Sequence, residues 1–347
     1  MFRRVIILLL ATLLAAAPLI AETAEKVDPR ELKKKTVKTA RKVDSFLQKR
    51  QARQNTDTDY IFRPQERWLI RTRGDISQSL IKFRSILTED NQGYYFDLHS
   101  KPRYKQHFGF GYRGIVLGFG IGFTKKKSDK ELAIKYYGNR FGGEVTFGYL
   151  GSLMGKFNLV GYEADIPEGD MDCNYIQIGA YYAFNGNRFS MPAAMNQSFI
   201  QRKSAGSPLV TTNFRFVLFG IQEDKDGDSL LNTRSLFVGL GGGYGYNWVP
   251  SDHWLLHVSA TETLGVFGNT NFRSTLFPGQ RVKANGRFIP LVTTGNVAVL
   301  YYFNKFYGGA FATVDSMFIP SKIKDSNERY RISTTRIQGH LTVGVRF

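Results

Sequence analysis

The feature that most constrains the fold is a period of two at the end of the chain. From Ile337 to Phe347 every second residue is apolar or glycine, and the residues between them are mostly polar, as at His340 and Arg346. Successive side chains of a β-strand point to opposite faces, so this segment predicts a strand with one apolar and one polar face. A soluble β-sandwich contains such strands too, so the last strand alone leaves both architectures open.

Other segments repeat this alternation, but their second face carries mainly glycine. Large apolar residues alternate with valine or glycine over 115–123, and a similar run covers 236–248. A sandwich does not normally have a second face so rich in glycine, whereas the interior of a narrow barrel has little room for side chains. The pattern therefore predicts an all-β fold, a transmembrane antiparallel outer-membrane β-barrel.

The connections between the predicted strands differ on the two sides of the barrel. Those on the side of the C-terminus are mostly short, such as 113–114 and 304–305, whereas many on the other side are long, such as 151–173 and 267–287. Outer-membrane barrels have short periplasmic turns, so we expect both termini in the periplasm. We predict about twelve strands, with ten or fourteen as alternative counts. They cover 67–84, 104–112, 115–124, 131–138, 143–150, 174–184, 209–221, 235–247, 254–266, 288–303, 306–315 and 334–347.

The first residues have the pattern of an export signal. Arg3 and Arg4 precede a short apolar run, and Ala21 is a small residue at the expected cleavage position. The apolar run is too short to span a membrane as a helix. We therefore predict a secretory signal peptide over 1–21.

A basic segment over 22–58 separates the signal peptide from the barrel, which we place at 67–347. Apolar residues recur at three- and four-residue spacing from Val37 to Leu47, which predicts an amphipathic helix over about 29–52. We expect this segment to be a periplasmic extension. A solvated arm and an arm that contacts a partner, peptidoglycan or the membrane are the alternatives.

The charge and cysteine content limit the partners and the means of stabilisation. The chain has a formal net charge of +18 and one cysteine, Cys173, which excludes an internal disulfide. A basic exported protein suits anionic partners such as lipopolysaccharide phosphates. Lys125, Lys126 and Lys127 form a basic outward loop, a candidate lipopolysaccharide contact, with simple solubility as the alternative. We also expect contacts with outer-membrane lipids and the barrel-insertion machinery, and none with nucleic acid.

One long connection, 185–208, lies on the side where the others are short. It and its flanks contain Tyr182-Ala-Phe-Asn185, Arg188-Phe-Ser190 and Gln201-Arg-Lys-Ser-Ala-Gly-Ser207. In these motifs the chain resembles the uncharacterised outer-membrane barrels catalogued as domain of unknown function 4421, from Bacteroides-like bacteria. The resemblance extends from about Arg67 to the C-terminus. It implies the barrel fold and no particular activity.

A connection of this length either hangs below the barrel as a cap or folds into the lumen as a plug. For a plug, we expect Arg188, Arg202 and Lys203 to pair with carboxylates of the lumen. Ser204 and Ser207 suit a tight turn. A catalytic serine loop is disfavoured, because no histidine and aspartate partners lie nearby in the sequence.

Charged residues on the predicted lumen face are mostly basic. The alternation places Arg113, Arg215, Arg336 and Arg346 toward the lumen, where they outnumber carboxylates such as Glu144. A water-filled path through such a lumen would favour anions. The alternative is that these groups interlock and fill the interior.

Candidate catalytic and metal motifs do not withstand inspection. His257-Val-Ser259 resembles the His-x-Ser of lipid A deacylase barrels, but Ala260 replaces the usual asparagine and the alternation points both residues to the lumen. Lipid-hydrolysing barrels carry their catalytic groups on the outer wall. Asp224-Lys-Asp-Gly-Asp228 departs from a calcium-binding loop at its later positions. We assign no catalytic, cofactor-binding or metal residues from the sequence.

The sequence therefore favours a narrow or plugged pore, anion-preferring in one form, or a structural barrel, with 185–208 in or under the lumen. An outer-membrane enzyme acting on lipid A or a surface glycan is one alternative. A docking module for an envelope assembly, with a periplasmic partner bound to 22–58, is another. We expect no cofactor and favour a non-enzymatic role.

Overall fold

The computed structural model divides the chain into two compact units, Met1–Asn55 and Thr56–Phe347. In the first unit the described residues between 37 and 49 are helical. No helix in the described part of the chain is long and apolar enough to cross a membrane. The predicted signal peptide and the loop with Lys125, Lys126 and Lys127 lie outside the described residues. The structure describes residues 37–39, 41–42, 44–49, 55–86, 95–123, 128–159, 162–221, 231–277, 280–287, 289–322 and 329–347.

Nearly all of the second unit is β-structure, in agreement with the period of two in the sequence. One short helix, α1 (Met191–Met195), interrupts it between β8 and β9. In chain order the strands are β1 (Ile61–Phe62), β2 (Trp68–Ile86), β3 (Tyr95–Ser100), β4 (Arg103–Tyr112), β5 (Ile115–Phe123), β6 (Lys130–Tyr137), β7 (Phe141–Leu159), β8 (Tyr162–Ala183), β9 (Ile200–Gln201), β10 (Ala205–Ile221), β11 (Leu231–Ser251), β12 (Trp254–Phe277), β13 (Gln280–Arg287), β14 (Leu291–Phe303), β15 (Phe306–Lys322) and β16 (Arg329–Arg346).

Twelve of these strands form a closed antiparallel ring, which consists of β2, β4 to β8, β10 to β12 and β14 to β16. The last strand pairs with the first, and Trp68 and Phe347 exchange backbone hydrogen bonds of 2.9 and 3.0 Å. Closure gives every ring strand a neighbouring strand on both sides, so that the ring itself has no free edge. The predicted count of twelve strands is confirmed.

The two ends of the ring differ. We call the end that holds Trp68 and Phe347 the turn end and the opposite end the loop end. At the turn end, Arg113 and Gly114 have φ angles of 47° and 87°, as a two-residue hairpin turn requires. At the loop end, the prediction of long loops over 151–173 and 267–287 is wrong. Most of these residues continue β7, β8 and β12, or form β13, and pair as hairpins.

The outer face of the ring is apolar. Ile337, Leu341 and Val343 on β16 are 51%, 69% and 58% exposed, and most other ring strands expose large apolar residues in the same way. A soluble monomer rarely exposes so wide an apolar surface, whereas a membrane barrel presents one to lipid. With closure and antiparallel pairing, this is the architecture of an outer-membrane β-barrel, and the predicted fold class is confirmed.

Buried apolar residues cluster at the loop end. β3 pairs with both β2 and β7, and it adds Phe96 and Leu98 to a cluster with Leu153 and Met171. Leu153 and Met171 are fully buried. We call these residues, together with Leu150, Phe157, Ile166 and Cys173, the loop-end apolar cluster.

Candidate functional site

The connection between β8 and β10 packs inside the turn end of the ring. We call residues 184–204 the inserted segment. The Ser190 hydroxyl accepts a hydrogen bond from Ala193 N (3.2 Å) and so caps α1. Pro192 lies in the first turn of this helix, where its missing N–H group is not needed. Phe189 and Met191 are buried against Tyr181 and other wall residues.

Three polar contacts anchor the inserted segment to different parts of the wall. The Tyr302 hydroxyl donates to Ala193 O (2.7 Å), and Arg346 Nε donates to Gln197 O (2.8 Å). Asn196 Nδ2 donates to the carbonyl of the turn residue Gly114 (3.2 Å). Ala193 and Ala194 also pack against buried side chains from several ring strands. The inserted segment is therefore held within the ring by specific contacts.

Gln201 joins the inserted segment to the wall and to the N-terminal strand β1. Its Oε1 accepts from Ser190 N (2.8 Å) and from Asn247 Nδ2 (3.0 Å). Its Nε2 lies within hydrogen-bond distance of three backbone carbonyls, which share its two hydrogens, and the shortest contact is 2.6 Å to Arg188 O. Gln201 is also paired with Ile61 in the two-stranded sheet of β1 and β9. Five polar contacts thus meet at one buried side chain.

A cavity of about 590 Å³ occupies the lumen between the inserted segment and the loop end. Met191, Met195 and Gln197 line it from the inserted segment. Threonines from several strands line its middle, and Phe83 and Leu98 of the loop-end region line it from the other side. Its volume is within the range of small-molecule sites, with a polar middle and an apolar end.

Most charged side chains of the lumen are paired. Arg215 makes a bidentate contact with Asp315 (2.8 and 2.6 Å), which joins two strands that are not neighbours in the ring. Arg336 lies 3.5 Å from Glu131, and Glu144 pairs with Lys135 (2.8 Å). The alternation in the sequence indicated few lumen carboxylates, but Asp75, Asp129 and Asp315 also point inward and are paired.

Arg71 is an exception to this pairing. It is 9% exposed and lines the cavity, and among the described residues no carboxylate or hydrogen-bond acceptor contacts its guanidinium group. Gly109 on the neighbouring strand makes room for it, because a Cβ at that position would lie 2.8 Å from Arg71 Cγ. The cavity is therefore bordered by a guanidinium group that no described carboxylate contacts directly.

The predicted cations of the inserted segment do not contact lumen carboxylates. Arg188 lies 3.3 Å from Asp57, and Lys203 lies 3.1 Å from Asp59. Both side chains are exposed, as is that of Arg202, whose Cζ lies 4.5 Å from the centroid of the Phe62 ring in β1. They hold the N-terminal strand against the inserted segment rather than reaching Glu144 and the other carboxylates of the lumen.

The remaining predicted residues take more local roles. Ser204 Oγ accepts from Val249 N (2.9 Å), and Ser207 Oγ accepts from Asn185 N (2.9 Å). Arg113 lies in the turn between β4 and β5 rather than along the lumen wall.

A set of polar side chains on β11 and β12 lies beside the inserted segment. His257 Nε2 is 3.1 Å from Ser259 Oγ, and His257 Nδ1 is 2.7 Å from Asn247 Oδ1. Ser259 lines the cavity, as the alternation of β12 indicates. Sequence reasoning missed Asn247, because it comes from the neighbouring strand and no local motif links it to His257. No group of three or more His, Cys, Asp or Glu among the described residues is arranged to hold a metal ion.

The comparisons with known proteins establish a family and little more. No curated protein matches the sequence. The outer-membrane protease OmpT of Escherichia coli is 8% identical with a TM-score of 0.41, over 81% of this chain and 97% of that one. The translocator domain of the autotransporter NalP from Neisseria meningitidis is 11% identical with a TM-score of 0.36, over 82% and 90%. The toluene transporter TodX of Pseudomonas putida is 10% identical with a TM-score of 0.33, over 82% and 90%. These scores are too low to transfer any property. A family model matches residues 55–347, and the chain belongs to this family, described as a domain of unknown function, DUF4421.

Proposed function

We propose that the protein is an outer-membrane barrel whose turn end faces the periplasm. The apolar outer face supports insertion into lipid. The tight turns at the turn end, which also holds Trp68 and Phe347, support this orientation. The basic segment over 22–58 then lies in the periplasm, where it is available to a partner. β5 ends at the opposite end of the ring, and Lys125, Lys126 and Lys127, which follow it in the sequence, remain our candidate contacts for lipopolysaccharide phosphates.

We further propose that the barrel is a plugged pathway for small anionic solutes, in which the inserted segment is the plug. The observation that carries this proposal is the packing of residues 184–204 within the ring, beneath a lumen cavity. A segment that only capped the barrel would not need buried contacts such as those from Tyr302 and Arg346 to Ala193 and Gln197.

Arg71 supports the preference for anions. The other lumen cations lie in contact with carboxylates, which largely compensate their positive charge. These ion pairs therefore add little to the electrostatic potential of the cavity. The Arg71 guanidinium lacks such a partner among the described residues and borders the cavity. An anion that enters the cavity would gain a charge-assisted hydrogen bond there, whereas a cation would meet an uncompensated positive charge.

The test is conductance across a planar bilayer with the plug removed. The strand pairing of β8 with β10 extends to Ala183 and Leu209. One residue further toward the inserted segment, Phe184 N donates to Pro208 O (3.2 Å). Deletion of residues 187–205 joins Gly186 to Gly206 in a two-residue Gly-Gly hairpin and removes only the terminal residue Ala205 from the ring strands. We expect rare or no openings from the full chain and stable, anion-selective steps from the deletion.

Two controls make this experiment decisive. Heat-modifiable migration in gels shows whether each barrel is folded. Arg71→Gln in the deletion background should lower the ratio of anion to cation permeability, whereas Lys305→Gln in the same background, a change at a side chain that is 61% exposed, should leave it unaltered. A folded deletion variant that remains silent would refute the plugged-pathway proposal, and unchanged selectivity in Arg71→Gln would refute the role of Arg71.

A second candidate function is docking to an envelope partner, and one observation favours it. The strand β1 is held to the plug by backbone pairing, by the ion pairs of Asp57 and Asp59, and by stacking of Arg188 on Tyr60. This strand follows the basic extension in the sequence. A periplasmic partner that binds residues 22–58 and pulls on β1 would therefore act on the plug itself.

A further inference from the structure

We propose that Ser259, His257 and Asn247 form a nucleophile, base and positioning residue for acyl transfer within the lumen. This inference goes beyond the proposed transport role and does not depend on it. It rests on the hydrogen-bond directions around these side chains, on the position of Ser259 at the cavity, and on a further amide, Asn296, beside the serine oxygen.

The hydrogen-bond network fixes the orientation of Asn247. Its Nδ2 lies 2.9 Å from Ser190 O and 3.0 Å from Gln201 Oε1, and both of these atoms only accept hydrogen bonds. Gln201 is itself fixed, because its Nε2 faces three backbone carbonyls that can only accept and its Oε1 faces Ser190 N, which can only donate. The two hydrogens of the Asn247 amide are therefore used, and its Oδ1 must be the atom that faces His257.

The orientation of Asn247 sets the tautomer of His257. Because Asn247 Oδ1 accepts at 2.7 Å, His257 Nδ1 carries the hydrogen. The neutral ring then has its lone pair on Nε2, which is 3.1 Å from Ser259 Oγ, and the serine hydroxyl donates to it. This is the arrangement that activates a serine nucleophile: a base within hydrogen-bond reach, oriented by a third group.

Asn296 places an amide donor beside the nucleophilic oxygen. Its Nδ2 donates to Ser259 Oγ at 3.3 Å, and its Oδ1 accepts from Thr313 Oγ1 at 3.0 Å. An amide N–H next to the nucleophilic oxygen suits the oxyanion of a tetrahedral intermediate. His257 and Asn247 are buried behind Ser259, which excludes water from the base.

The cavity indicates the class of substrate. Ser259 borders the polar, threonine-rich middle of the lumen, and the apolar side chains toward the loop end, such as Phe83 and Leu98, line the same cavity. A carboxylic ester with an apolar acyl chain fits this distribution. The ester carbonyl would lie at Ser259 and the chain would extend toward the loop-end apolar cluster.

The reaction balances with water as the only co-reactant. Ser259 Oγ bonds to the ester carbonyl carbon while its proton passes to His257 Nε2, and Asn296 donates to the resulting oxyanion. The bond to the alkoxy oxygen then breaks, and the leaving alcohol takes the proton from His257. Water attacks the acyl-serine with the same base, which releases the carboxylic acid and restores the Ser259 hydroxyl.

The test is labelling of the purified full chain in detergent with alkyl fluorophosphonates of short and long chain, followed by intact and peptide mass spectrometry. We expect one adduct, at Ser259, that is absent in Ser259→Ala. His257→Gln should slow labelling by at least about 100-fold, the usual contribution of a general base. Asn247→Asp, which keeps an oxygen acceptor for His257, should retain far more labelling than Asn247→Leu.

Ser235→Ala is the matched control, because Ser235 lines the same cavity but its hydroxyl pairs with Thr270 rather than with a histidine. Heat-modifiable migration identifies any variant that fails to fold. A folded wild-type protein that forms no adduct with either probe would overturn the proposal. So would an adduct that persists in Ser259→Ala or labelling that is unaffected by His257→Gln. Since these readouts do not involve ion flow, they fail or succeed separately from the conductance experiment.

Discussion

The two ends of the barrel interior are built in different ways. At the loop end, buried residues such as Leu153 and Met171 belong to the barrel strands themselves, and β3 joins two of those strands. At the turn end, the buried residues Phe189 and Ala193 belong to a segment inserted between strands that already pair with each other. The buried core at the loop end therefore depends on the same strands as the ring. The inserted segment that fills the turn end is a separate element, and the ring strands pair without it.

This difference concerns function as well as stability. An element that opens has to be less stable than the structure around it, and local opening draws on segments whose contacts are separate from the main fold. The inserted segment meets this requirement, since the pairing of β8 with β10 continues behind it. The loop-end apolar cluster does not, because its loss would separate β3 from the wall.

The largest effect should come from the buried ion pair at the loop end. Asp129 accepts from Arg103 Nη1 (3.0 Å), Ser152 Oγ (3.2 Å) and Gly151 N (3.1 Å), and the Arg103 and Asp129 side chains are 2% and 1% exposed. Asp129→Ala leaves the guanidinium buried without a counter-ion, so we expect the free energy of unfolding to fall by about 3–5 kcal/mol. Urea titration in lipid vesicles, followed by tryptophan fluorescence, measures this change.

A double variant serves as the control for this experiment. Arg103→Met combined with Asp129→Leu removes both charges, and such replacements of buried ion pairs are often neutral. It should therefore recover most of the lost stability. If Asp129→Ala unfolded at nearly the wild-type urea concentration, the loop end would not depend on its buried contacts in the way described above.

A change at the turn end should act locally. Phe189 is fully buried, and its ring stacks on the wall residue His257. Removal of a buried phenylalanine side chain lowers the free energy of unfolding of the structure that it holds by about 3 kcal/mol or more. Because these contacts hold the inserted segment rather than the ring, Phe189→Ala should raise its open population roughly 100-fold. Trypsin cleavage after Arg188, Arg202 and Lys203, followed by mass spectrometry, reports on this opening.

The urea midpoint of the barrel should change little in Phe189→Ala. Phe62→Ala is the matched control, because it truncates an aromatic residue that is 38% exposed beside the same segment. Cleavage that is no faster in Phe189→Ala than in the wild type would show that the inserted segment unfolds only together with the ring. The comparison between the two ends would then fail.

How much the sequence could predict also differs between the two ends. The alternation located all twelve ring strands, because a strand between water and lipid must alternate along its whole length. Most of the predicted strands end too early at the loop end. For example, the prediction ends β12 at residue 266, whereas the strand continues to Phe277. Beyond the apolar band the two faces no longer meet different solvents, so the alternation that marks a strand weakens there.

The lumen site was only partly predictable, for a related reason. Parity along β12 correctly directed His257 and Ser259 inward, but the partner Asn247 lies on β11 and the second amide, Asn296, lies on β14. Cross-strand contacts depend on register, which a single sequence does not state. The same limit applies to Asp315, whose pairing with Arg215 crosses between strands that are not neighbours.

The smallest effect should come from an exposed ion pair at the same loop end. Arg84 lies 3.1 Å from Asp97, with side chains 43% and 42% exposed, and it also stacks on the Tyr95 ring at 4.7 Å. We expect Asp97→Asn to lower the free energy of unfolding by less than about 1 kcal/mol, because water and salt screen the pair and the stacking remains. Urea titration at low and high salt should show the small difference shrinking as salt is added. If Asp97→Asn matched Asp129→Ala, burial would not be the property that makes the loop end stable, and the contrast with the removable segment at the turn end would need another physical cause.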